Sequence, residues 1–490
     1  MKKTILLILL FVLNNILVWG QEKGRINREP ISFSIERLKP IEQIIEMPEF
    51  DKDSIRRVDS IIESMGMAPY YHHHRVDFTP QNSGQWDTLE DGSRLWRIAF
   101  FCHNAPMIAL TFGSFWIPKG ANVSFYSYDK QKTTFMMTSD LNRGRTKYNP
   151  KKNTTDDIFD RDTVVLEYFI PNGCIDDGNI SIESVKQGYI KYLKKQSESY
   201  KYNGNMRYYD SFFGESADCN ININCSLGQD WQLEKNAIVK IITDVGRFTG
   251  FLVNTTSNDY RPYIITANHC LYNSQWSQLY DANGNTDLDD WRFYFNLETY
   301  GCNDSIIQYS PFVLQGAELL ANNNISDFAL LRLDNNPKDY NMIYPPHYLG
   351  WNAENTSDKL DMICIHHPKG DVKKIATMED NSYSSVGSNN FWQVYWKQTT
   401  NGHDVTANFS SGAPLINGEK HIIGQLKGGK YSKNECEKAS VNYSWFGKFS
   451  VSGDTNSDTT KQLKHWLDPN DTGATICKGT KYMYKIIINI

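Results

Sequence analysis

Long apolar runs are scarce in this 490-residue chain. After the first twenty residues no stretch approaches eighteen uninterrupted apolar positions, which excludes a later membrane-spanning helix. An excess of one charge is missing as well. The 51 Lys and Arg stand against 56 Asp and Glu, a formal net charge of −5, so no basic field points to nucleic acid or an anionic membrane. Cysteine is sparse, 9 in all, and no CxxC is followed by a second such pair, which removes the usual structural zinc arrangements. What is present is 40% hydrophobic and 22% charged, ordinary for a folded protein. Aromatics reach 13%, and Gly, Asn, Ser and Thr are scattered through the second half, which favours short strands joined by turns. The length exceeds one ordinary core and predicts two or three domains.

Residues 1–20, "MKKTILLILLFVLNNILVWG", place Lys2 and Lys3 before a short apolar run interrupted at Asn14 and Asn15 and closed by Gly20. This reads as a secretory signal of bacterial type, too interrupted for a good span. The remainder is expected to be soluble and secreted or periplasmic, with no membrane attachment after signal removal. Export permits disulfides, and the odd cysteine count leaves at least one thiol unpaired. Sequons such as those at Asn254 and Asn408 are assigned no glycosylation.

Residues 21–80 are polar and charged, with one short helical pattern around Ile55–Gly66. "YYHHHR", Tyr70–Arg75, resembles a metal tract, but three consecutive histidines cannot face one ion in regular structure, so a solvated loop and no metal are expected. From about residue 84 several short strand-like runs predict a β-sandwich. Lys194–Asp218, rich in Ser, Asn, Gly and basic residues, is the best boundary and cleavage region. From Cys219 to about Lys478 a second series of short strands reads as an all-β barrel pair. "TTKQLKHWLDP" has helical spacing of Leu463, Trp466 and Leu467 and is stopped by Pro469. The predicted organisation is a signal at 1–20, a pro-region at 21–210 and a catalytic domain at 211–490.

Acyl transfer by a serine needs a histidine to take the hydroxyl proton, a buried acid to hold its ring, and amides to receive the oxyanion. Suitable residues occur in the order His269 in "YIITANHC", Asp327 in "ISDFALLRL" and Ser411 in "NFSSGAPL". Each stands at a strand end, where loops present functional groups. Singly each is commonplace: a satisfied polar His, a capping Asp, a turn SSG. In this order within one all-β block they point to a peptidase triad.

These blocks, with "CNININC", "TGFLVNTT", "IHHPKG", "FWQVYWKQ", "IIGQLKGG" and "WLDPNDTGA", resemble chymotrypsin-fold serine peptidases, and specifically the secreted bacterial lysyl endopeptidases. The likeness covers nearly all of Cys219–Gly479. It implies an all-β fold of two six-stranded antiparallel barrels preceded by a β-sandwich pro-domain, with no metal or organic cofactor. It implies His269 as general base, Asp327 as its orienter, Ser411 as nucleophile, and the backbone N–H groups of Phe409 and Ser411 as oxyanion hole. Disulfides Cys219–Cys436 and Cys225–Cys302 are implied too. The family's partner for Cys270 is replaced by Phe248, which leaves Cys270 free. Cys102 and Cys174 could bridge within the N-terminal domain, their pairing being left open, and Cys364 and Cys477 have no assignment. "WRIAFFCHNAPMIALTFGSFWIPKGANVSFYS" carries a weaker likeness to precursor pro-regions, implying an intramolecular inhibitor that covers the cleft until removed.

The chain departs from the family pattern at the pocket. Phe409 stands where glycine is usual, and Ser444 where an aspartate would pair with substrate lysine. Trp396 matches a pocket-side tryptophan, and Lys427 replaces the histidine that stacks against it. Asp404 is an improbable source of pocket charge. The expected function is therefore a secreted serine endopeptidase acting on protein or peptide substrates, without inherited lysine specificity. The alternative is a non-catalytic binding protein on a peptidase scaffold, its oxyanion hole disturbed by Phe409. A third, weaker reading makes the N-terminal sandwich a permanent binding module.

Overall fold

Strand formation follows the side-chain alternation. Phe391–Trp396 turns Trp392, Val394 and Trp396 inward and Phe391, Gln393 and Tyr395 outward. The computed structural model describes residues 24–51, 71–155, 157–188, 214–243, 246–272, 287–302, 311–340, 342–355, 361–397, 404–430, 436, 442–454 and 457–483. The signal segment, the predicted helix at Ile55–Gly66 and most of the predicted boundary region lie outside the described residues.

The chain divides into two units, one built from residues 22–62 and 69–194, the other chiefly from 195–490. In the first, one sheet runs Arg25–Ile26, Met136–Thr138, Asn122–Ser127, Thr163–Ile170, Arg94–Phe101, Ile44–Glu46, with Gln85–Thr88 also on Arg94–Phe101. A second sheet runs Asn153–Thr154, Met107–Trp116, Asn179–Gly188, Tyr71–Phe78. Both contribute to one core, including Phe100, Phe125 and Leu166 from the first and Leu110, Phe112 and Ile182 from the second. That is a β-sandwich.

Two expectations are corrected here. The histidine tract is an edge strand, Tyr71–Phe78, and not a loop. Its alternation puts His72 and His74 against Phe50, at ring distances of 4.1 and 5.9 Å, while His73 Nδ1 is 3.3 Å from Ser184 Oγ. His74 is buried and hydrogen-bonded to Gln187 over 2.8 Å, so a side chain expected in solvent finds its partner within the sheet. Cys102 and Cys174 are both free. In the ladder of Arg94–Phe101 with Thr163–Ile170, Cys102 follows Phe101 and its N–H donates to Asp162 O, whereas Cys174 follows Ile170, which pairs with Arg94 at the other end. Eight residues of strand separate those ends by roughly 25 Å, far beyond disulfide reach.

In the second unit one sheet runs Phe312–Gln315, Arg292–Phe295, Ile238–Ile242, Arg247–Leu252, Tyr263–Ala267, Phe328–Leu333, Ala317–Asn323. Its first and last strands are separated only by Gly316, at φ +84°. They are one kinked strand, so the sheet closes as a six-stranded barrel. The other sheet runs Pro414–Ile416, Ile363–His366, Lys374–Val386, Phe391–Trp396, Tyr443–Lys448, His421–Lys430 and returns to Pro414–Ile416, a second closed ring of six. Gly350–Asn352 and Ile476–Cys477 extend it. Trp392, Val394, Leu415 and Phe446 fill its interior. The fold is thus the chymotrypsin-like double barrel. Cys219–Cys436 and Cys225–Cys302 are disulfide-bonded, and Cys102, Cys174, Cys270, Cys364 and Cys477 are free. The predicted helical spacing near the end gives a 3-10 turn, Thr459–Lys461, and a short helix, Lys464–Leu467.

Candidate active site

Strand register brings the first two site residues together. Ala267 pairs with Phe328, so the residues just beyond them, Asn268 and Asp327, also meet, and Asn268 N–H donates to Asp327 O over 3.0 Å. The chain after Ala267 then enters a 3-10 turn, Asn268–Leu271, that carries His269. Asp327 sits at φ +62°, a left-handed conformation that Asp tolerates better than most residues. Its two carboxylate oxygens take separate bonds from one residue: Oδ1 accepts the His269 backbone N–H over 3.0 Å, and Oδ2 lies 2.8 Å from His269 Nδ1.

Ser411 comes from the second barrel. Thr249 N–H of the first barrel donates to Ser411 O over 2.9 Å, and Gly412 N–H donates to Leu426 O over 2.8 Å. Gly412 is required here, since it lies at φ +85° and a Cβ would stand 2.2 Å from Thr266 Oγ1 and 2.3 Å from Thr249 O. His269 Nε2 is 2.8 Å from Ser411 Oγ. With Nδ1–H donating to Asp327, Nε2 is left as acceptor for the serine hydroxyl, the tautomer that the hydrogen-bond network selects. Asp327 is buried and His269 partly open, with side-chain exposures of 5% and 16%. The arrangement is a proton acceptor aimed at a hydroxyl, held from behind by an acid.

Residues 407–410 form a turn closed by Ser410 N–H to Ala407 O at 3.0 Å. Phe409, its third residue, has φ +72°, whereas Asn408 is not among the positive-φ residues. That is the type II pattern, which favours glycine at the position where this chain has Phe. Ser410 does not face the cleft chemistry: its Oγ is 2.8 Å from His366 Nδ1 and accepts Ala407 N–H at 3.2 Å.

The pocket residues are arranged differently from what the family pattern implies. Trp396 Nε1 donates to Ser444 Oγ over 2.8 Å, and Thr406 Oγ1 lies 2.6 Å from that same oxygen. Lys427 does not stack on Trp396; its ammonium lies over Phe391, 4.8 Å from the ring centroid. Asp404 is buried, accepts from Asn220 Nδ2 and from Ile221 N–H at 2.9 Å, and faces His366 Nε2 at 3.3 Å. Cys270, beside His269 in sequence, is fully buried, and burial together with the Asp327 charge pushes its thiol well above the usual range. It is therefore unsuited to act as a nucleophile.

Residues 213–447 match the family described as lysyl endopeptidase, C-terminal domain. The lysyl endopeptidase of Pseudomonas aeruginosa is 26% identical over 232 residues, which cover 46% of this chain and 47% of that protein. The chain thus spans about half the length of the curated relative it matches. Among solved structures, the active form of a protease from M. tuberculosis is 15% identical, covering 44% of this chain and 76% of that one with a TM-score of 0.27. A serine endoprotease from Yersinia pestis is 15% identical, covering 46% of this chain and 63% of that one with a TM-score of 0.29. The last two bear on no chemical step.

Sequence reading missed the residues behind the turn. "IHHPKG" was legible as a likeness without a role, yet His366 meets Ser410, and Lys369 N–H donates to Asn408 O over 2.7 Å. Thr249, inside a barrel strand, opens "TGFLVNTT", which was likewise legible only as a likeness without a role.

Proposed function

We propose that this chain is an exported serine endopeptidase made as a precursor. The observation that carries the reading is the continuous link Asp327–His269–Ser411, at 2.8 Å for each side-chain contact. His269 Nε2 takes the Ser411 hydroxyl proton as Oγ attacks the substrate carbonyl. Asp327 stabilises the imidazolium that results and fixes the ring through Oδ1 and Oδ2. The tetrahedral oxyanion is received by the N–H groups of Phe409 and Ser411. His269 then returns the proton to the leaving amine, and the acyl-enzyme on Ser411 is hydrolysed by water through the same base.

The residue preference is proposed to be other than lysine, because the hydroxyl of Ser444 occupies the aspartate position and is engaged by Trp396 and Thr406. Residues 21–210, with the β-sandwich, are proposed to be a pro-region that inhibits the peptidase until it is removed, with residues 1–20 as export signal and the catalytic domain at 211–490. The rival reading, a binding protein with a closed oxyanion hole, is opposed by the type II geometry at Phe409. The test is labelling of the exported protein with a fluorophosphonate probe beside a Ser411→Ala control. Label that disappears in the control supports the enzyme; absence of label after the N-terminal unit is removed supports the scaffold.

A further inference from the structure

The turn at residues 407–410 has two natural forms, and they differ in the direction of one peptide. In a trans peptide the C=O and N–H point to opposite sides. Turning the 408–409 peptide over converts type II into type I, moves Phe409 to negative φ, and replaces its N–H by the Asn408 carbonyl on the side where an oxyanion would sit. Phe409 at φ +72° is a residue in a conformation that its Cβ disfavours. Left to local preference, this turn would drift to type I and the hole would close. Something nearby has to offset that bias.

We propose that the loop His367–Asp371 is the clamp that holds the oxyanion peptide, and that Asp371 is the positioning residue that fixes the loop. The proposal rests on the Ser411 reading above. Lys369 N–H donates to Asn408 O over 2.7 Å, which holds that carbonyl back toward the loop and directs the Phe409 N–H the other way. Lys369 reaches this place only by adopting φ +52° itself. Thr249 Oγ1 ties the other half of the turn to the same loop, accepting His367 N–H over 3.1 Å and donating to Phe409 O over 3.2 Å.

The loop is in turn held from several sides. Lys240, fully buried in the first barrel, donates to Gly370 O, and His367 Nδ1 is 2.8 Å from Asp371 O. The Asp371 carboxylate, 1% exposed, is the hub. Its Oδ1 accepts Gly214 N–H and Val372 N–H, each at 2.7 Å. Its Oδ2 accepts Ser216 N–H at 3.3 Å and Ser216 Oγ–H, and Lys374 Nζ lies 3.9 Å away. A buried carboxylate with this many donors is costly to disturb. It pins the loop to Gly214–Ser216, the first described residues of the catalytic unit, at the end of the predicted boundary region. One hydrogen bond is of the same order as the conformational cost of Phe409, so the hole is held open conditionally, and losing the clamp closes it.

A double-mutant cycle tests this on the exported protein, using the fluorophosphonate labelling rate at Ser411 and turnover of p-nitrophenyl acetate. Asp371→Ala in the parent should slow labelling and lower kcat by about 10- to 100-fold, with KM within about 3-fold, as expected for a weakened oxyanion donor. In a Phe409→Gly background, where type II carries no penalty, the same change should cost less than about 3-fold. A residue that merely supports the fold would cost the same in both. Equal losses with Ser411-dependent labelling therefore overturn the clamp alone. Absence of Ser411-dependent labelling in all four proteins overturns the peptidase reading and the clamp with it. Should Asp371→Ala not fold, Asp371→Asn replaces it, and Phe409→Gly alone should label at least about twice as fast as the parent; an equal or slower rate overturns the proposal.

Discussion

The indole N–H of Trp396 donates to Ser444 Oγ over 2.8 Å, and Thr406 Oγ1 lies 2.6 Å from that oxygen on its other side. Ser444 is fully buried, and a hydroxyl has a single proton to donate. The position that would confer lysine recognition is therefore neutral and already satisfied, and the Asp404 carboxylate is committed to Ile221 N–H. A peptide-library cleavage profile is expected to prefer lysine over uncharged side chains of similar length by less than about tenfold, since each tenfold needs about 1.4 kcal/mol of differential binding. A lysine preference above about 100-fold would show that some other carboxylate reaches the pocket.

The proposed triad of Ser411, His269 and Asp327 should behave as a unit. Ser411→Ala and His269→Ala are each expected to lower kcat by roughly 10⁴- to 10⁶-fold, and the double variant by no more than either alone. Asp327→Asn should cost roughly 10⁴-fold, because the amide can donate to Nδ1 and so favours the wrong tautomer. Asn also tolerates the left-handed φ of +62° at residue 327, so its thermal midpoint should change little. Burst kinetics on an activated ester, with melting curves alongside, measure both.

Much of this was legible from residue order. The alternation in "RPYIITA" and "FALLRL" gives two strands, and their antiparallel pairing is what sets Asp327 beside His269. The double barrel was legible through such runs, although its closure depends on Gly316 and on the pairing of Pro414–Ile416 with His421–Lys430, neither of which has a local signature. The histidine tract was misread because edge-strand pairing is a long-range choice, made by Asn179–Gly188 and not by the tract itself. The Cys102–Cys174 pairing failed for a related reason: composition says that two thiols share a unit, and only register says that they lie at opposite ends of a ladder. The Phe409 substitution was visible at once, whereas the loop that offsets it was not, since it grips the turn through the backbone N–H groups of His367 and Lys369, which carry no sequence signature.

Acid should weaken the double-barrel unit through buried imidazoles. His347 is pushed down to about 4, first by burial and then by the nearby Lys481 charge. His367 is held well below its usual range by burial and then by Lys373. A histidine with a depressed folded pKa binds fewer protons in the folded than in the unfolded state, so stability rises with pH across the interval between the two values. For His347 that interval runs from about 4 up to the ordinary value near 6.5 and corresponds to about 3 kcal/mol. Stability should therefore be complete above about pH 6.5 and fall as pH drops toward 4. Denaturant midpoints measured between those pH values should show a flatter slope in His347→Gln than in the parent; an unchanged slope would mean that His347 does not titrate in this interval.

Thiol reactivity separates a serine enzyme from a cysteine one. The thiolate is the reactive form, and burial disfavours it. Cys102 is pushed up to about 12 and Cys477 to about 11, chiefly by burial. Cys270 and Cys364 are fully buried and held well above the usual range, with Asp327 and Asp404 adding to the effect. Of the free cysteines only Cys174 is partly exposed. Iodoacetamide at mildly alkaline pH should therefore modify the native protein at Cys174 alone, with the other four free thiols appearing only after unfolding, as read by peptide mass mapping. Modification of Cys270 in the native protein, with loss of activity, would mean that the thiol following His269 reaches the cleft. That result would transfer the nucleophile question from Ser411 to Cys270, because a thiolate beside an imidazole needs no further activation.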